Sequence, residues 1–512
     1  MRQPACECAT VLLAASCAVF PLAAQVSPPA PPLDLLYAAA SNDERSARVA
    51  LNQLGKQWRD AYTPMIIDMA RLLRPAPRSS GVGAGVETAG PPSTAFSPDR
   101  ETPDATSPSL GESGAEAGPR VTRESLIRSR LIGFLEKHTG KRFDLFLTGW
   151  RRWMWTLPDE PHPDYARFKG AVYGRIDPRM RRFFPPDAKS LIRLDEIDWG
   201  GVTVNGIPPL YYPKVLRAKE ATFLRDGHLV FGVVINGEAR AYPKRILAWH
   251  EMAIDRVGGT EVTVVYCTLC GTVIPYDSVV AGRLRRFGTS GLLYRSNKLM
   301  FDEETMSLWS TLEGTPVVGA LVDAGLHLTS HPAVTTTWGE WRTEHPDTTV
   351  LSLDTGHTRD YSEGAAYRDY FSHDRLYFQV SRTDTRLKNK TEVLVLQVKP
   401  AASGDAQPVA IVAAFLKKTP AFHFEASGRR LLVVTSRAGA NRVYALGSHD
   451  VVFQSTSPAK ELIDTAGRRW KQTESALELQ GAEPASLPRY VAQRAFWFGW
   501  YAQYPQTLLL GR

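Results

Sequence analysis

Two cysteines separated by two residues are the feature of this 512-residue chain that most directly suggests chemistry. Cys267 and Cys270 stand in the stretch VVYCTLCGTV, at the end of a β-branched run and just before Gly271. A turn of this length can direct both sulfur atoms at one point, which suits a redox disulfide, half of a tetrahedral metal site or a structural bridge. Covalent haem attachment is excluded, because Gly271 stands where that motif requires histidine.

A metal ion bound by this pair would need another ligand, because the chain has no second Cys-x-x-Cys pair. The nearest candidate is His250, which stands seventeen residues before Cys267 in the stretch ILAWHEMAID. Two thiolates and one imidazole would leave one ligand position open, as in catalytic zinc sites and in copper sites. His250 is equally compatible with a buried histidine beside Trp249 whose nitrogens are satisfied by hydrogen bonds.

Carboxylates near these residues are candidates for proton transfer. Glu251 follows His250 directly, and Asp302 lies in the stretch NKLMFDEETMSLWS. We therefore assign Glu251 and Asp302 as candidate catalytic residues that move protons or orient the site. Asp302 and Glu303 are also typical of acids that cap a turn. They are poorly placed as a glycosidase pair, because adjacent residues on a strand point to opposite faces.

The remaining cysteines, Cys6, Cys8 and Cys17, all lie in the first twenty residues. Arg2, the apolar run VLLAASCAVFPLAA and the Pro-rich stretch after it are typical of a secretory signal peptide, predicted over residues 1–24. We expect the protein to be exported to the periplasm or the extracellular space. An alternative treats AASC as a lipobox, with the chain anchored to lipid through Cys17. The apolar run is too short for a spanning helix, so no transmembrane segment is expected in the mature chain.

Composition places the chain among ordinary globular proteins and limits its partners. It is 43% hydrophobic and 22% charged, and its length is sufficient for two or three domains. The net charge of +8 is spread along the sequence without a run of five Lys or Arg residues. A clustered basic stripe is what nucleic-acid binding would require. We therefore expect no nucleic-acid partner, and the partner remains an unknown small molecule or protein.

The elements that must position these residues begin with helices. Apolar residues recur at three- and four-residue spacing over residues 33–74, which predicts a helical region. Residues 75–120 are rich in Pro, Gly, Ser and Thr and predict a disordered linker. Helical spacing resumes over residues 122–189, where Trp150 and Trp153 share one helix face. Buried packing accounts for these rings better than a ligand platform does.

Short β-branched runs broken by turns dominate residues 190–512. Asn-Gly pairs at Asn205 and Asn236 are signals of hairpin turns. Regular alternation of strands and helices is missing, so a doubly wound parallel sheet is not expected. The predicted fold class is α+β, with a helical N-terminal region, a disordered linker and a β-rich C-terminal domain with supporting helices.

Six stretches of this β-rich region resemble the signature motifs of a known family: RAYP, WHE, YCTLCG, SGLLYRSN, MFDEETMSLWS and FWFGW. Over roughly residues 192–510 the chain resembles the bacterial and archaeal family called domain of unknown function 3179. The resemblance implies no reaction, substrate or cofactor. It does imply that a set of polar and aromatic residues stands in the blocks that define the family: His250, Glu251, Cys267, Cys270, Ser290, Asn297, Asp302 and Trp309.

The sequence supports two classes of function. The first is an exported metal-binding or thiol-redox protein, with His250, Cys267 and Cys270 as ligands of zinc or copper, or with the two thiols as a redox couple. The absence of a thioredoxin-like βαβ context favours metal slightly. The second is a non-catalytic binding or structural module in which the pair forms a disulfide clip. Whether the protein is an enzyme is left open at this point.

Overall fold

The structure, a computed structural model, describes residues 29–73, 122–144, 146–400, 403–447, 451–453, 461–481 and 485–512. The predicted signal peptide, Cys17 and the predicted disordered linker lie outside the described residues. Within the described ranges, no helix combines the length and apolar character that crossing a membrane requires.

The described chain begins with helices, as the apolar spacing predicts. Asp43 caps the second helix by accepting from the backbone N–H groups of Arg45 and Ser46, and Thr122 caps the fourth by accepting from that of Ser125. The α-helices are α1 Leu33–Ala39, α2 Glu44–Lys56, α3 Thr63–Arg71, α4 Arg123–Thr139, α5 Thr148–Met154, α6 Tyr165–Tyr173, α7 Lys244–His250, α8 Trp338–Glu344, α9 Arg368–Ser372, α10 Ala413–Lys418 and α11 Trp497–Gln503.

Helices α1 to α6 share one hydrophobic core with a face of a β-sheet. This core joins Ile66 from before the predicted linker to Leu131 from after it, and both contact the cluster that contains Leu299 of the sheet. Trp150 is fully buried in the same core and packs edge-on against Trp153, with ring centroids 5.9 Å apart. The prediction of buried packing is confirmed for Trp150, and Trp153 is partly buried against the same core.

The rest of the described chain is mainly strands, which confirms the α+β class. The strands are β1 Ile197–Trp199, β2 Leu210–Tyr211, β3 Val215–Arg217, β4 Leu229–Ile235, β5 Glu238–Pro243, β6 Met252–Val257, β7 Thr260–Cys267, β8 Thr272–Asp277, β9 Val279–Val280, β10 Arg283–Leu284, β11 Phe287–Tyr294, β12 Asn297–Asp302, β13 Leu308–Ser310, β14 Thr315–Val318, β15 Ala333–Thr337, β16 Thr349–Leu351, β17 Glu392–Val398, β18 Gln407–Val412, β19 Ala421–Ala426, β20 Arg429–Thr435, β21 Asn441–Ala445, β22 Glu461–Ile463, β23 Arg469–Gln472, β24 Ala476–Leu479, β25 Ser486–Tyr490, β26 Gln493–Phe496 and β27 Leu508–Leu510.

In the described ranges these strands form six sheets, most of whose neighbouring pairs are antiparallel. The orders are β1-β11-β12-β13-β14, β10-β9, β15-β4-β5-β16-β3, β26-β17-β18-β27, β19-β20-β21-β25-β24-β23-β22 and β2-β6-β7-β8. The last of these carries the cysteine pair. In it β6, β7 and β8 form an antiparallel meander, with Met252 opposite Val265 and Cys267 opposite Thr272. Both faces of β7 are covered, which explains its nearly continuous apolar sequence.

One of the two predicted Asn-Gly hairpins is confirmed and the other is wrong. Asn236 and Gly237 both have positive φ, at 48° and 83°, and close the hairpin between β4 and β5. Asn205 lies in a turn between β1 and β2 that joins no hairpin strands. Its backbone N–H donates to Thr289 O at 2.8 Å, and its side-chain Oδ1 accepts from Thr289 N at 2.9 Å. Asn205 therefore docks on the irregular part of β11, a tertiary use that the dipeptide does not reveal.

Candidate functional site

The cysteine pair closes the turn between β7 and β8. Cys267 is the last residue of β7, and Cys270 lies in the turn just before Gly271, whose φ is +68°. Glycine suits this left-handed position because it has no Cβ. The two cysteines form a disulfide with a Cα separation of 5.4 Å, within the usual range for such bridges. The tight turn therefore does direct both sulfur atoms at one point, as the spacing predicts.

An aromatic segment near the C-terminus covers the disulfide. Phe496 N donates to Cys270 O at 2.8 Å, and the backbone of Gly499 approaches so closely that a Cβ there would lie 2.8 Å from Cys270 Cβ. From the other side Tyr370 OH donates to Leu269 O at 2.8 Å. As a result Cys267 and Cys270 are only 4% and 1% exposed. The FWFGW stretch, 496–500, thus serves to enclose the cysteine pair.

A small cavity beside the disulfide adjoins a large cleft. Cys267 and Asn297 line a cavity of about 10 Å³, close to the volume that one water molecule needs. Ile274 and Leu312 line this cavity and also line a cleft of about 570 Å³, the size of a small-molecule site. Of the two cysteines, Cys267 is the one that lines the cavity. Other residues of the cleft are aromatic, basic or polar and include Tyr276, His327, Lys399, Gln493, Trp500 and Tyr504.

A buried ion pair lies next to this arrangement. Lys298 Nζ lies 3.3 Å from Glu251 Oε2 and donates to Glu251 O at 3.2 Å, while Tyr367 OH donates to Glu251 Oε1 at 3.1 Å. Glu251 O also accepts from the backbone N–H of Tyr266, the residue before Cys267. Burial lowers the pKa of Lys298, and the Glu251 carboxylate opposes that shift. The structure therefore places Glu251 in contact with the residue that precedes Cys267 and gives it a buried cation as partner.

His250 belongs to a separate group of polar residues. Its Nδ1 lies 2.9 Å from Pro208 O and its Nε2 lies 2.6 Å from Tyr361 OH, which is itself 2.6 Å from Thr355 Oγ1. Burial lowers the pKa of His250 to about 4, so the ring is neutral at pH 7. With Pro208 O able only to accept, Nδ1 carries the proton and Nε2 accepts from Tyr361. Both ring nitrogens are thus hydrogen-bonded. This matches the alternative stated for the sequence, in which His250 is a buried histidine and not a metal ligand.

The structure does not gather the predicted metal ligands into one group. Among the described residues, no cluster of three ligand atoms within 4.8 Å of one another contains His250, Cys267 or Cys270. The two sulfur atoms are bonded to each other, whereas metal binding requires thiolates. The zinc or copper site on these residues stays a prediction that concerns the reduced protein.

Asp302 is the last residue of β12, and its carboxylate is enclosed by the turn that leads to β13. It is fully buried, and its carboxylate accepts from Thr305 N at 2.8 Å, from Thr305 Oγ1 at 2.7 Å and from Trp309 Nε1 at 3.0 Å. Arg285 Nη1 lies 3.5 Å from Asp302 Oδ1. These contacts are typical of a residue that caps a turn, which is the alternative role that the sequence suggests for Asp302. A catalytic role for Asp302 stays a prediction.

One further group of described residues meets the geometric requirement for binding a metal. The ligand atoms of Glu344, His345 and Glu474 lie within 4.8 Å of one another. Arg442 Nη2, however, lies 2.5 Å from a carboxylate oxygen of each glutamate, and Arg489 Nη1 lies 3.5 Å from Glu474. Burial alone would raise the pKa of Glu474, but these guanidinium groups hold it well below its usual range. A cation would have to displace Arg442, so this donor set fits an ion-pair network better than a metal.

Two parts of the site escaped the sequence reasoning. The pairing of Lys298 with Glu251 had a signal, since this lysine stands inside the apolar strand NKLMF, where an unpaired charge is costly. Enclosure of Cys270 by Gly499 had none, because the two residues are 229 positions apart in the sequence. Such long-range contacts depend on how the sheets pack.

Comparison with known proteins places this site within a family. Residues 204–507 match a family described as protein of unknown function (DUF3179). The match spans more than half of the chain and contains the cysteine pair, Glu251, Lys298 and the covering segment. No curated protein and no solved structure matches the chain.

Proposed function

Since the chain belongs to the family of proteins of unknown function DUF3179, we propose its activity from the site itself: thiol–disulfide exchange at Cys267 and Cys270. In this proposal the disulfide accepts two electrons from a thiol substrate and is later re-formed by a disulfide partner. The predicted export of the chain is part of the proposal, because oxidising compartments are where such a disulfide persists.

The observation that carries the proposal is that Cys267, and not Cys270, lines a small cavity that shares two wall residues with the cleft. Cys267 lines a cavity whose wall residues Ile274 and Leu312 also belong to the 570 Å³ cleft, whereas Cys270 is covered by Gly499. The aromatic and polar lining suits a thiol-bearing small molecule or peptide segment as substrate.

The difference in surroundings between Cys267 and Cys270 assigns a role to each sulfur atom. A substrate thiolate attacks Cys267 Sγ, the bond between Cys267 and Cys270 breaks, and Cys270 leaves as a thiolate that takes up a proton. A second substrate thiolate then attacks the substrate sulfur of this mixed disulfide and releases Cys267 as a thiolate, which is protonated in turn. The substrate becomes a disulfide, and the protein gains two electrons and two protons. Re-formation by an external disulfide follows the reverse steps.

The experiment that tests this proposal compares two single substitutions. Cys270→Ser leaves Cys267 at the small cavity and is expected to form a mixed disulfide with glutathione disulfide. Cys267→Ser leaves Cys270 under Gly499 and is expected to react at least tenfold more slowly. Both variants should react at equal rates in denaturant, which controls for intrinsic thiol reactivity. Equal rates in the folded proteins, or faster reaction at Cys270, would contradict the proposal.

A structural clip is the second candidate, and the burial of both cysteines favours it. With exposures of 4% and 1%, the disulfide is shielded from large reagents. In this case reduction would occur only on unfolding, and the two variants would lose stability without any difference in exchange. The measurement is the thiol content of folded protein in a dithiol buffer.

Metal binding by the reduced pair is the remaining hypothesis from the sequence. Zinc or copper would be held by the thiolates of Cys267 and Cys270 together with His250, which would have to exchange a hydrogen bond for the metal. Elemental analysis of reduced protein decides this question. About one ion per chain, lost in both cysteine variants and in His250→Ala, would replace the redox proposal by a metal site.

A further inference from the structure

The buried pair of Lys298 and Glu251 carries an inference that rests on the proposed thiol–disulfide exchange. We propose that Lys298 and Glu251 are positioning residues whose opposite charges set how easily the Cys267–Cys270 disulfide is reduced, with Lys298 favouring the reduced form and Glu251 opposing it.

The position of the pair supports this role. Glu251 O accepts from both Lys298 Nζ and Tyr266 N, so a single carbonyl links the ammonium group to the residue that precedes Cys267. Asn297, the neighbour of Lys298, lines the cavity beside Cys267. Thr311, whose Oγ1 donates to Lys298 O at 2.7 Å, lines the same cavity. Lys298 therefore lies directly behind two of the residues that line the cavity beside Cys267.

Burial strengthens the electrostatic effect of these two charges on their surroundings. Lys298 and Glu251 are only 4% and 8% exposed, so little water screens them. Reduction of the disulfide creates sulfur atoms that carry negative charge as thiolates during exchange, and burial penalises that charge. A nearby ammonium group offsets the penalty, whereas a nearby carboxylate adds to it.

The two single substitutions should therefore act in opposite directions. Lys298→Met leaves Glu251 as the unbalanced charge and disfavours the reduced pair. Glu251→Gln leaves Lys298 as the unbalanced charge and favours it. A purely structural role would not predict opposite signs, because both variants break the same buried ion pair and both destabilise the fold.

The chain contains a matched pair that serves as control. Lys169 Nζ lies 2.9 Å from Asp68 Oδ2, and Tyr165 OH donates to the same oxygen at 2.8 Å. Lys169 is fully buried and lies in the helical unit, in a core that contains neither cysteine. Lys169→Met thus repeats the loss of a buried lysine that is paired with an acid and a tyrosine.

The experiment equilibrates the protein without its predicted signal peptide, residues 1–24, and the same form of each variant with mixtures of a reduced and an oxidised dithiol at pH 7, then counts protein thiols. In each equilibrium the protein disulfide becomes two thiols as the dithiol becomes a disulfide, so electrons and protons balance. Lys298→Met is expected to lower the equilibrium constant for reduction by about tenfold, equivalent to about 30 mV for two electrons. Glu251→Gln is expected to raise this equilibrium constant several-fold. The double substitution of Lys298 and Glu251 should return it nearly to the wild-type value, and Lys169→Met should leave it unchanged.

The outcomes separate this inference from the function on which it rests. A wild-type disulfide that does not equilibrate in the folded protein overturns the proposed exchange. A wild-type disulfide that equilibrates, with shifts of the same sign in both single variants or no larger than in Lys169→Met, overturns the inference alone. If Lys298→Met does not fold, Lys298→Gln keeps a donor to Glu251 O and removes the charge, so the same shift is expected.

Discussion

The close approach of Gly499 to Cys270 yields a prediction in which two opposing effects can be weighed. Gly499 lies in helix α11, and a Cβ at this position would meet Cys270 Cβ at 2.8 Å, well inside the normal contact distance. Gly499→Ala gains up to about 1 kcal/mol of helix propensity. Overpacking of a rigid core costs about 1–3 kcal/mol. The net expectation is a loss of about 1 kcal/mol of folding stability, because neither backbone segment can retreat easily.

Gly133 provides the matched control for this substitution. It is exposed in helix α4, and a Cβ there would have no neighbour within 4 Å. Gly133→Ala is therefore expected to stabilise by about 0.5–1 kcal/mol through helix propensity alone. Urea unfolding of the oxidised proteins, followed by tryptophan fluorescence, measures both changes. Stabilisation of Gly499→Ala to the same extent as Gly133→Ala would refute the packing of this segment over the cysteine pair.

Three further predictions concern the polar groups around the site. The pKa of His250 is lowered from 6.5 to about 4, so the unfolded chain binds a proton at a higher pH than the folded protein does. The free energy of unfolding should therefore fall as the pH decreases from about 6.5 to about 4. Urea unfolding measured across that range should show a flatter pH dependence for His250→Gln. Tyr361→Phe removes the donor to His250 Nε2 and should cost about 1–3 kcal/mol in the same assay at pH 7. Thr305→Val removes the hydrogen bond that Thr305 Oγ1 donates to the buried carboxylate of Asp302, while the bond from the backbone N–H remains. It should cost about 1–3 kcal/mol in the same assay, whereas a change below a few tenths would contradict the capping role.

The features of this fold that depend on local pattern are the ones that its sequence predicts correctly. The helical spacing predicted helices in the N-terminal region, the β-branched runs predicted most strands, and Asn236 predicted a hairpin, because each reflects interactions within a few residues. The spacing of Cys267 and Cys270 correctly indicated that their sulfur atoms can meet. Membership of the unknown-function family was likewise confirmed from its motif blocks.

Features that depend on packing between distant segments could not be predicted in the same way. The motif WHE suggested that His250 and Glu251 act together, yet the helix end directs His250 toward Tyr361 and Glu251 toward Lys298. The reason is backbone geometry: Glu251 adopts a left-handed conformation with φ of 56°, which turns the chain from α7 into β6. Asn205 failed as a hairpin signal for a related reason, since its partner is a distant strand.

The thiol content of the folded wild-type protein in a graded dithiol buffer tests the central claim most directly. Thiol exchange at Cys267 and Cys270 predicts that two thiols appear together at one midpoint, that circular dichroism stays native, and that oxidation restores the disulfide. Thiols that appear only when the protein also unfolds would contradict the claim and identify the disulfide as a structural clip.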